Sequence, residues 1–371
     1  LGGVLSATPA LRLIKEALPT AHLTVLAGPW GADVAEHCPA VDRVRTCRFP
    51  AFDRQRAAGG LMGKLAPYSL LMNTATELRE ERFDVALCLV ADHWSAALTA
   101  VAGIPHRFGF ETPDATQFLT HTLSLVPLAV GKSGQSAPKE HVASAQIRMA
   151  KAMVGLAGRE SPGTFDERTQ YEPSPKDRAD AVRIWHAHDL EGRTPVVAIH
   201  PAPGGPAKRW PVERFAFVAD HLVGRFGARI VVTGGPDDVD EARVLAASCR
   251  HQPTVLAGRT TFGALAAIYE RCRFAMGTDN GAMHLATARS VPTIRLFGPV
   301  DHHVWSGWTG RGNTPLTISV ASPRPCSPCH RLDLPEWEAV APGGGNAYPC
   351  MQDISVDDVI RVVEEMWSRT A

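Results

Sequence analysis

Along residues 196–371 short apolar runs alternate with longer amphipathic ones. The runs at 196–200, 228–233, 254–256, 274–276 and 293–297 predict strands. Between them, apolar positions at helical spacing predict helices over 212–226, 239–249, 261–271 and 282–289, with a last helix over 356–367. Strands alternating with helices of this length predict parallel sheets joined by right-handed crossovers.

The N-terminal half carries the same alternation less evenly. Helices are predicted over 8–18, 92–102 and 140–156, and strands over 22–27, 83–90 and 107–110. The 83–90 run is apolar nearly throughout, as for a strand buried on both faces. Residues 158–194 are rich in Pro, Asp, Glu and Arg, with one helical patch near 177–186. That composition marks a domain boundary and divides the chain into 1–170 and 171–371. A length of 371 residues suits two domains of ordinary size. The expected fold class is α/β, with two Rossmann-like doubly wound domains.

Composition removes several classes of function. The 38 basic and 38 acidic residues cancel, so no global field draws the protein to nucleic acid. No apolar run approaches the roughly 18–20 residues that span a bilayer. The eight cysteines, in a chain of this size without a secretory signal, read as cytosolic free thiols. The sequence opens at Leu1 on the glycine pair Gly2-Gly3. A doubly wound domain places a buried strand before such a loop, so a first strand is expected to be missing and its neighbours to carry unpaired edges.

The densest chemistry lies in Gly277-Thr-Asp-Asn-Gly-Ala-Met-His-Leu-Ala286, followed by Val291-Pro-Thr-Ile-Arg-Leu-Phe-Gly-Pro299. The pattern reads strand, polar turn, helix, strand, turn. Thr278, Asp279 and Asn280 occupy the turn, Gly281 opens the helix, and His284 follows on its first turn. A helix N-terminus presents unpaired N–H groups and a positive dipole end, so it favours a phosphate or carboxylate. Asp279 alone reads as an N-cap; Asp-Asn-Gly with a histidine one turn on points to ligand binding.

Other candidates cluster at predicted strand ends, where open α/β sheets bind ligands. Residues 201–207 are rich in Pro and Gly, and Gly204 and Gly205 let the backbone approach a diphosphate. Lys208 follows, able to neutralise a leaving nucleotide. After the 228–233 strand comes Gly234-Gly-Pro-Asp-Asp238, where Asp237 is the first choice for ribose hydroxyls and Asp238 or Glu241 the alternatives; helix capping explains these acids equally well. Asp301, His302 and His303 form a further polar group, with the adjacent histidines pointing different ways and no metal site resulting. Cys326, Cys329 and Cys350 read as a structural or redox-labile loop, or as part of a zinc site without an obvious fourth ligand.

These motifs resemble glycosyltransferase family 9, the ADP-heptose:lipopolysaccharide heptosyltransferases and their relatives. Members carry a similar Asp-Thr/Asn-Gly-x-x-His-Leu-Ala turn and a strand ending in Leu-Phe-Gly-Pro. The resemblance extends to Leu1-Gly-Gly-Val-Leu-Ser-Ala-Thr-Pro-Ala-Leu-Arg12, to His200-Pro-Ala-Pro-Gly-Gly-Pro-Ala-Lys-Arg-Trp-Pro211 and to Cys350-Met-Gln-Asp-Ile354. It implies the GT-B architecture, two Rossmann-like domains facing a cleft, with the last helix packing back onto the first domain. It implies a nucleotide-sugar donor, ADP-heptose, held by Lys208, Asp279, Asn280, Gly281 and His284 of the C-terminal domain. It implies a lipopolysaccharide-core or related glycan acceptor on the N-terminal side, and metal-independent, inverting transfer without a cofactor. Such an enzyme would work in the cytoplasm, at or near the inner face of the membrane that carries its acceptor.

One position departs from the family. Members place Gly-Asp in the N-terminal loop, and that aspartate is the expected general base; here the pair is Gly2-Gly3. Loss of a general base costs ~10²–10⁴ in rate. Asp92 or His93, after the 83–90 strand, is the nearest replacement. The alternative is a non-catalytic sugar-nucleotide binder, and a sugar-nucleotide epimerase of the same fold ranks behind both.

Overall fold

The computed structural model describes residues 1–49, 61–125, 140–310, 317–332 and 348–370. They fall into two compact units, residues up to Glu167 and from Arg168 onward, Gly2 alone grouping with the second.

The first unit runs α1 (Gly2–Ala17), β1 (Thr24–Ala27), α2 (Ala32–Glu36), β2 (Arg43–Thr46), α3 (Leu61–Glu80), β3 (Val85–Cys88), α4 (His93–Val101), β4 (His106–Phe110), β5 (His121–Leu123) and α5 (Val142–Leu156). Its strands form two parallel sheets, β1–β2 and β3–β4–β5. Gly2 and Gly3 lie in the first turn of α1 and not in a loop. The 83–90 segment also differs from expectation. As β3 it is the edge of its sheet, and three of its four residues are only half-buried. At its carboxyl end Asp92 caps α4, accepting from the Ser95 amide at 2.9 Å.

The second unit runs α6 (Pro175–Ala187), β6 (Val196–His200), α7 (Val212–Phe226), β7 (Arg229–Val232), α8 (Val239–Ser248), β8 (Thr254–Val255), α9 (Phe262–Tyr269), β9 (Phe274–Thr278), α10 (Gly281–Ala288), β10 (Thr293–Phe297), α11 (His302–Trp305), β11 (Thr317–Ala321), α12 (Pro349–Gln352) and α13 (Val356–Arg369). Six parallel strands take the order β11-β10-β9-β6-β7-β8. Beginning at β6, the chain winds out to β8, returns to β9 on the other side of β6, and continues outward. This is the doubly wound pattern, and the order reverses between β6 and β9. Strands β6, β9 and β10 are buried at every position, as a sheet covered on both faces requires.

Helix α7 shows how the pattern folds. Phe215, Val218, Ala219 and Leu222 are buried at helical spacing, and Gly227 closes the helix with φ +65°. Trp210, fully buried just before it, packs edge-on against Phe215 at 4.7 Å and donates from Nε1 to the Ile354 carbonyl at 3.0 Å. Arg214 bonds the Gln352 and Ile354 carbonyls, so the C-terminal segment is pinned beside the loop that carries Lys208.

The last helix packs on the core of its own unit. Val359, Val363 and Met366 of α13 belong to the second unit's own core, and Trp367 stacks on Phe226 at 4.4 Å. A stripe spaced i, i+4, i+7 that is already buried against α7 and the β10–β11 edge holds the helix within this unit.

Candidate functional site

The switch point of the second sheet is built from the carboxyl ends of β6 and β9. His200 at the end of β6 pairs in register with Gly277 of β9. A Cβ at Gly277 would stand 2.5 Å from the His200 carbonyl oxygen, so the close strand approach demands glycine there. His200 is buried, with Nδ1 2.9 Å from the Thr233 hydroxyl, which in turn lies 3.3 Å from the Tyr269 hydroxyl. Burial pushes the His200 imidazole down to about 4, leaving a neutral ring beneath the site.

After β6 the chain passes through Gly204 and Gly205 into a short 3-10 turn, Pro206–Lys208. Gly204 lies against the β9–α10 turn; a Cβ there would come within 2.8 Å of the Asp279 carbonyl oxygen. Asn280 ties the two loops, donating from Nδ2 to the Ala202 carbonyl at 2.9 Å while its Oδ1 accepts from the Met283 amide at 3.0 Å. The helix cap is therefore Asn280. Asp279 is released from the capping role that its position suggested, and its carboxylate meets Lys208 Nζ at 2.5 Å and faces His284 Nε2 at 3.5 Å.

Asp279 and His284 are buried, and Lys208 is half-buried beside them. Asp279 is 4% exposed and His284 7%. Burial alone opposes charge on Asp279, but Lys208 and His284 outweigh it and hold the carboxyl well below the usual carboxylate range. Burial, reinforced by the Arg295 charge, pushes His284 down to about 4 against the pull of Asp279. Arg295, fully buried on β10, stays charged at neutral pH although burial brings it down to about 10. The cluster thus holds two cations and one anion, with a neutral histidine. One uncompensated positive charge beside the N-terminus of α10 favours an anionic ligand. Thr278, the last residue of β9, is fully buried, and its hydroxyl has no hydrogen-bond partner among the described residues.

The acids after β7 separate into different roles. Asp237 is exposed, while Asp238 accepts from the Gly235 amide at 2.7 Å and so serves the turn. Glu241 on the first turn of α8 is half-buried and lies 3.8 Å from Arg209, the neighbour of Lys208. Burial raises its carboxyl, and Asp238 adds to the rise while Arg209 opposes it. Among the three, Glu241 is the acid connected to the Lys208 loop.

Gly2 and Gly3 occupy the start of α1, and Asp92 belongs to the first unit, with its Oδ2 atom buried and unpartnered among the described residues. The His302 and His303 rings do not diverge as adjacent residues on a regular helix would. They lie 4.0 Å apart, centroid to centroid, and both bring a ligand atom within 4.8 Å of one on the buried Asp301. Asp301 also caps the short α11, accepting from the His303 amide at 3.0 Å. All eight cysteines are free thiols; Cys326 is exposed and Cys350 buried, its thiol pushed up to about 11 by burial and by Cys329 nearby. The residue that sequence reasoning missed is Arg295, whose one signal was a lone charge inside an apolar strand.

The second unit defines a doubly wound α/β domain with a cationic site at its switch point. Glycosyltransferase family 9 (heptosyltransferase) matches residues 72–335, and the chain belongs to that family. Lipopolysaccharide heptosyltransferase 3 of Escherichia coli is 38% identical over 116 residues, covering 30% of this chain and 34% of that relative. The match therefore spans about a third of that protein's length. Lipopolysaccharide heptosyltransferase 2 of Salmonella typhimurium is 24% identical over 308 residues, covering 81% and 80% of the two chains. In structure, the ADP-heptose lipopolysaccharide heptosyltransferase II of E. coli superimposes with a TM-score of 0.66 at 19% identity over 98% of this chain and 95% of that one. The fold class is α/β of the GT-B kind.

Proposed function

We propose that this chain is a glycosyltransferase that moves a sugar from a nucleoside-diphosphate donor, with ADP-heptose as donor and a lipopolysaccharide-core or related glycan as acceptor. The observation that carries the reading is the Lys208–Asp279–His284 cluster, with the acid and histidine buried, at the N-terminus of α10 on the switch point of a doubly wound sheet. Transfer breaks the bond between the anomeric carbon and the diphosphate, so negative charge grows on the departing oxygen. Lys208 and the free N–H groups of the α10 N-terminus are suited to meet that charge in a water-poor setting. The donor preference comes from the relatives named above.

In this reading Gly204, Gly205, Thr278, Asn280 and Gly281 shape the diphosphate seat, and Glu241 takes the ribose hydroxyls in preference to the exposed Asp237. The first unit takes the acceptor. Attack needs the acceptor hydroxyl to lose its proton, and Gly3 has no group to accept it. Asp92 is the base: one carboxylate oxygen caps α4 and the other has no partner among the described residues. The reaction is inverting and independent of metal, to be checked by unchanged turnover in a chelator. Contact with a lipid-linked acceptor would be peripheral, at the cytoplasmic face. Among the described residues no helix is long and apolar enough to cross a membrane.

A second reading, a sugar-nucleotide binder without turnover, is favoured by Gly3 alone. Calorimetric titration with ADP-heptose, UDP-sugars and GDP-sugars tests the donor site. Selective binding of ADP-heptose supports the assignment, and absence of binding to all three removes it. Turnover with a glycan acceptor then separates enzyme from binder.

A further inference from the structure

Arg295 lies in the middle of β10, between Ile294 and Leu296, with no exposed surface. Replacing a buried charge by a well-packed apolar side chain is often neutral or stabilising, so its position calls for a reason beyond packing. Its Nη2 donates to the Met283 carbonyl at 2.6 Å and to the Thr287 hydroxyl at 2.5 Å, both on α10. The second terminal nitrogen, Nη1, lies 3.3 Å from Nδ1 of His284. A Cβ on Gly307 would come within 2.9 Å of Nη2 and 2.6 Å of the Thr287 oxygen, so the backbone after α11 closes over the pair and fixes the guanidinium plane.

A guanidinium offers donors and no acceptor. The ring nitrogen that faces it must therefore be the bare one, and the single proton of a neutral imidazole must sit on the other. We propose that Arg295 is a positioning residue that locks His284 as the neutral Nε2–H tautomer, making His284 a hydrogen-bond donor to the site and barring it from acting as a proton acceptor. A second proton would have to enter at Nδ1, against the guanidinium N–H and its charge. The charged groups around the ring, Lys208, Asp279 and Arg295, include two cations, and these outnumber the one carboxylate. The Nε2–H faces Asp279 Oδ1 at 3.5 Å, longer than the ~2.7–3.2 Å of a settled N–H···O bond. That proton remains able to serve an acceptor oxygen on an anion seated at the α10 N-terminus, a consequence that rests on the function proposed above.

The test is long-range 1H–15N correlation NMR on the full chain with 15N-labelled histidine, with His284→Gln identifying the His284 signals by their loss. At pH 7 the expected pattern is a single neutral Nε2–H tautomer that persists to about pH 5. In Arg295→Met that pattern gives way to a mixture of tautomers that takes up a proton at higher pH. An Nδ1–H ring or an imidazolium at pH 7 in the unaltered protein overturns the proposal, as does an unchanged tautomer in a folded Arg295→Met. If that variant does not fold, the unaltered protein alone decides. ADP titrated calorimetrically into the same sample keeps the two readings apart. A locked Nε2–H ring without ADP binding upholds the tautomer and removes the donor site; ADP binding with the wrong tautomer does the reverse.

Discussion

Lys208 Nζ lies 2.5 Å from Asp279 Oδ2, joining the loop after β6 to the loop after β9 across the point where the strand order reverses. Asp279 is buried and Lys208 half-buried, so each partner keeps the other's charge tolerable. It also places a lysine at the end of a helix whose N–H groups already favour anions. Stability and the proposed donor binding therefore meet in one contact.

Asp279→Ala leaves Lys208 and Arg295 without their carboxylate. Breaking a buried pair costs about 3–5 kcal/mol, and the loops that form the site lose one of their ties, Asn280–Ala202 remaining. Donor affinity should fall at least tenfold, and the midpoint of denaturant unfolding should drop. Calorimetry with ADP-heptose beside a urea titration reads both; full donor affinity in the variant would remove Asp279 from the site.

Acid should weaken the fold through two buried histidines. His200 and His284 are both pushed down to about 4 when folded, against about 6.5 in an unfolded chain. As pH falls, the unfolded chain takes up these protons first, so stability is intact above about 6.5 and declines toward 4. At about 1.4 kcal/mol per pKa unit, each histidine accounts for about 3 kcal/mol over that window. Asp279 adds a further loss below about pH 4, where the unfolded carboxyl protonates while the folded one stays charged. Urea unfolding at pH 7 and pH 4.5 should show the decline, and His200→Gln should make it shallower; an equal slope in that variant would count against the assignment.

The base can be tested at two positions. Asp92→Asn should lower turnover by ~10²–10⁴ while leaving donor affinity unchanged. Among the described residues, a Cβ at Gly3 meets no atom within 4 Å, and an acid in the first turn of α1 suits the helix dipole. Gly3→Asp should therefore fold normally and raise turnover. Unaltered kinetics in Asp92→Asn would take that residue out of the mechanism.

Gly277→Ala should destabilise the second unit by about 1–3 kcal/mol, the usual cost of overpacking, because its Cβ would press on the His200 carbonyl at 2.5 Å. Thermal denaturation measures this directly. A wild-type midpoint would mean that β6 and β9 separate more easily than their register suggests.

Much of the second unit was legible without the structure. Short apolar runs placed β6 and β10, and a 3.6-residue period placed α7, at their observed bounds, because these elements have enough apolar positions to declare themselves. The first unit was less legible. Helix α3 lacks a clear apolar stripe, and β2 and β5 are short strands with exposed or half-buried positions, so local pattern does not distinguish them from loops. The two glycines at the start of α1 read as a loop because glycine disfavours helices, yet the following turns carry them.

By itself the sequence determined the alternation of strand and helix, and it singled out the Asp279–His284 turn as a candidate for chemistry. Those are local properties, written in periodicity and in the order of a few residues. Only the tertiary structure decided that Asn280, not Asp279, caps α10, that Lys208 closes on Asp279 across 71 positions, and that Glu241 turns inward while Asp237 faces solvent. It also decided that α13 is retained by the second unit's core and that Arg295 stands under His284. Each of these depends on which strands become neighbours in the sheet, and that order is set by packing over the whole unit, far beyond the reach of any local pattern.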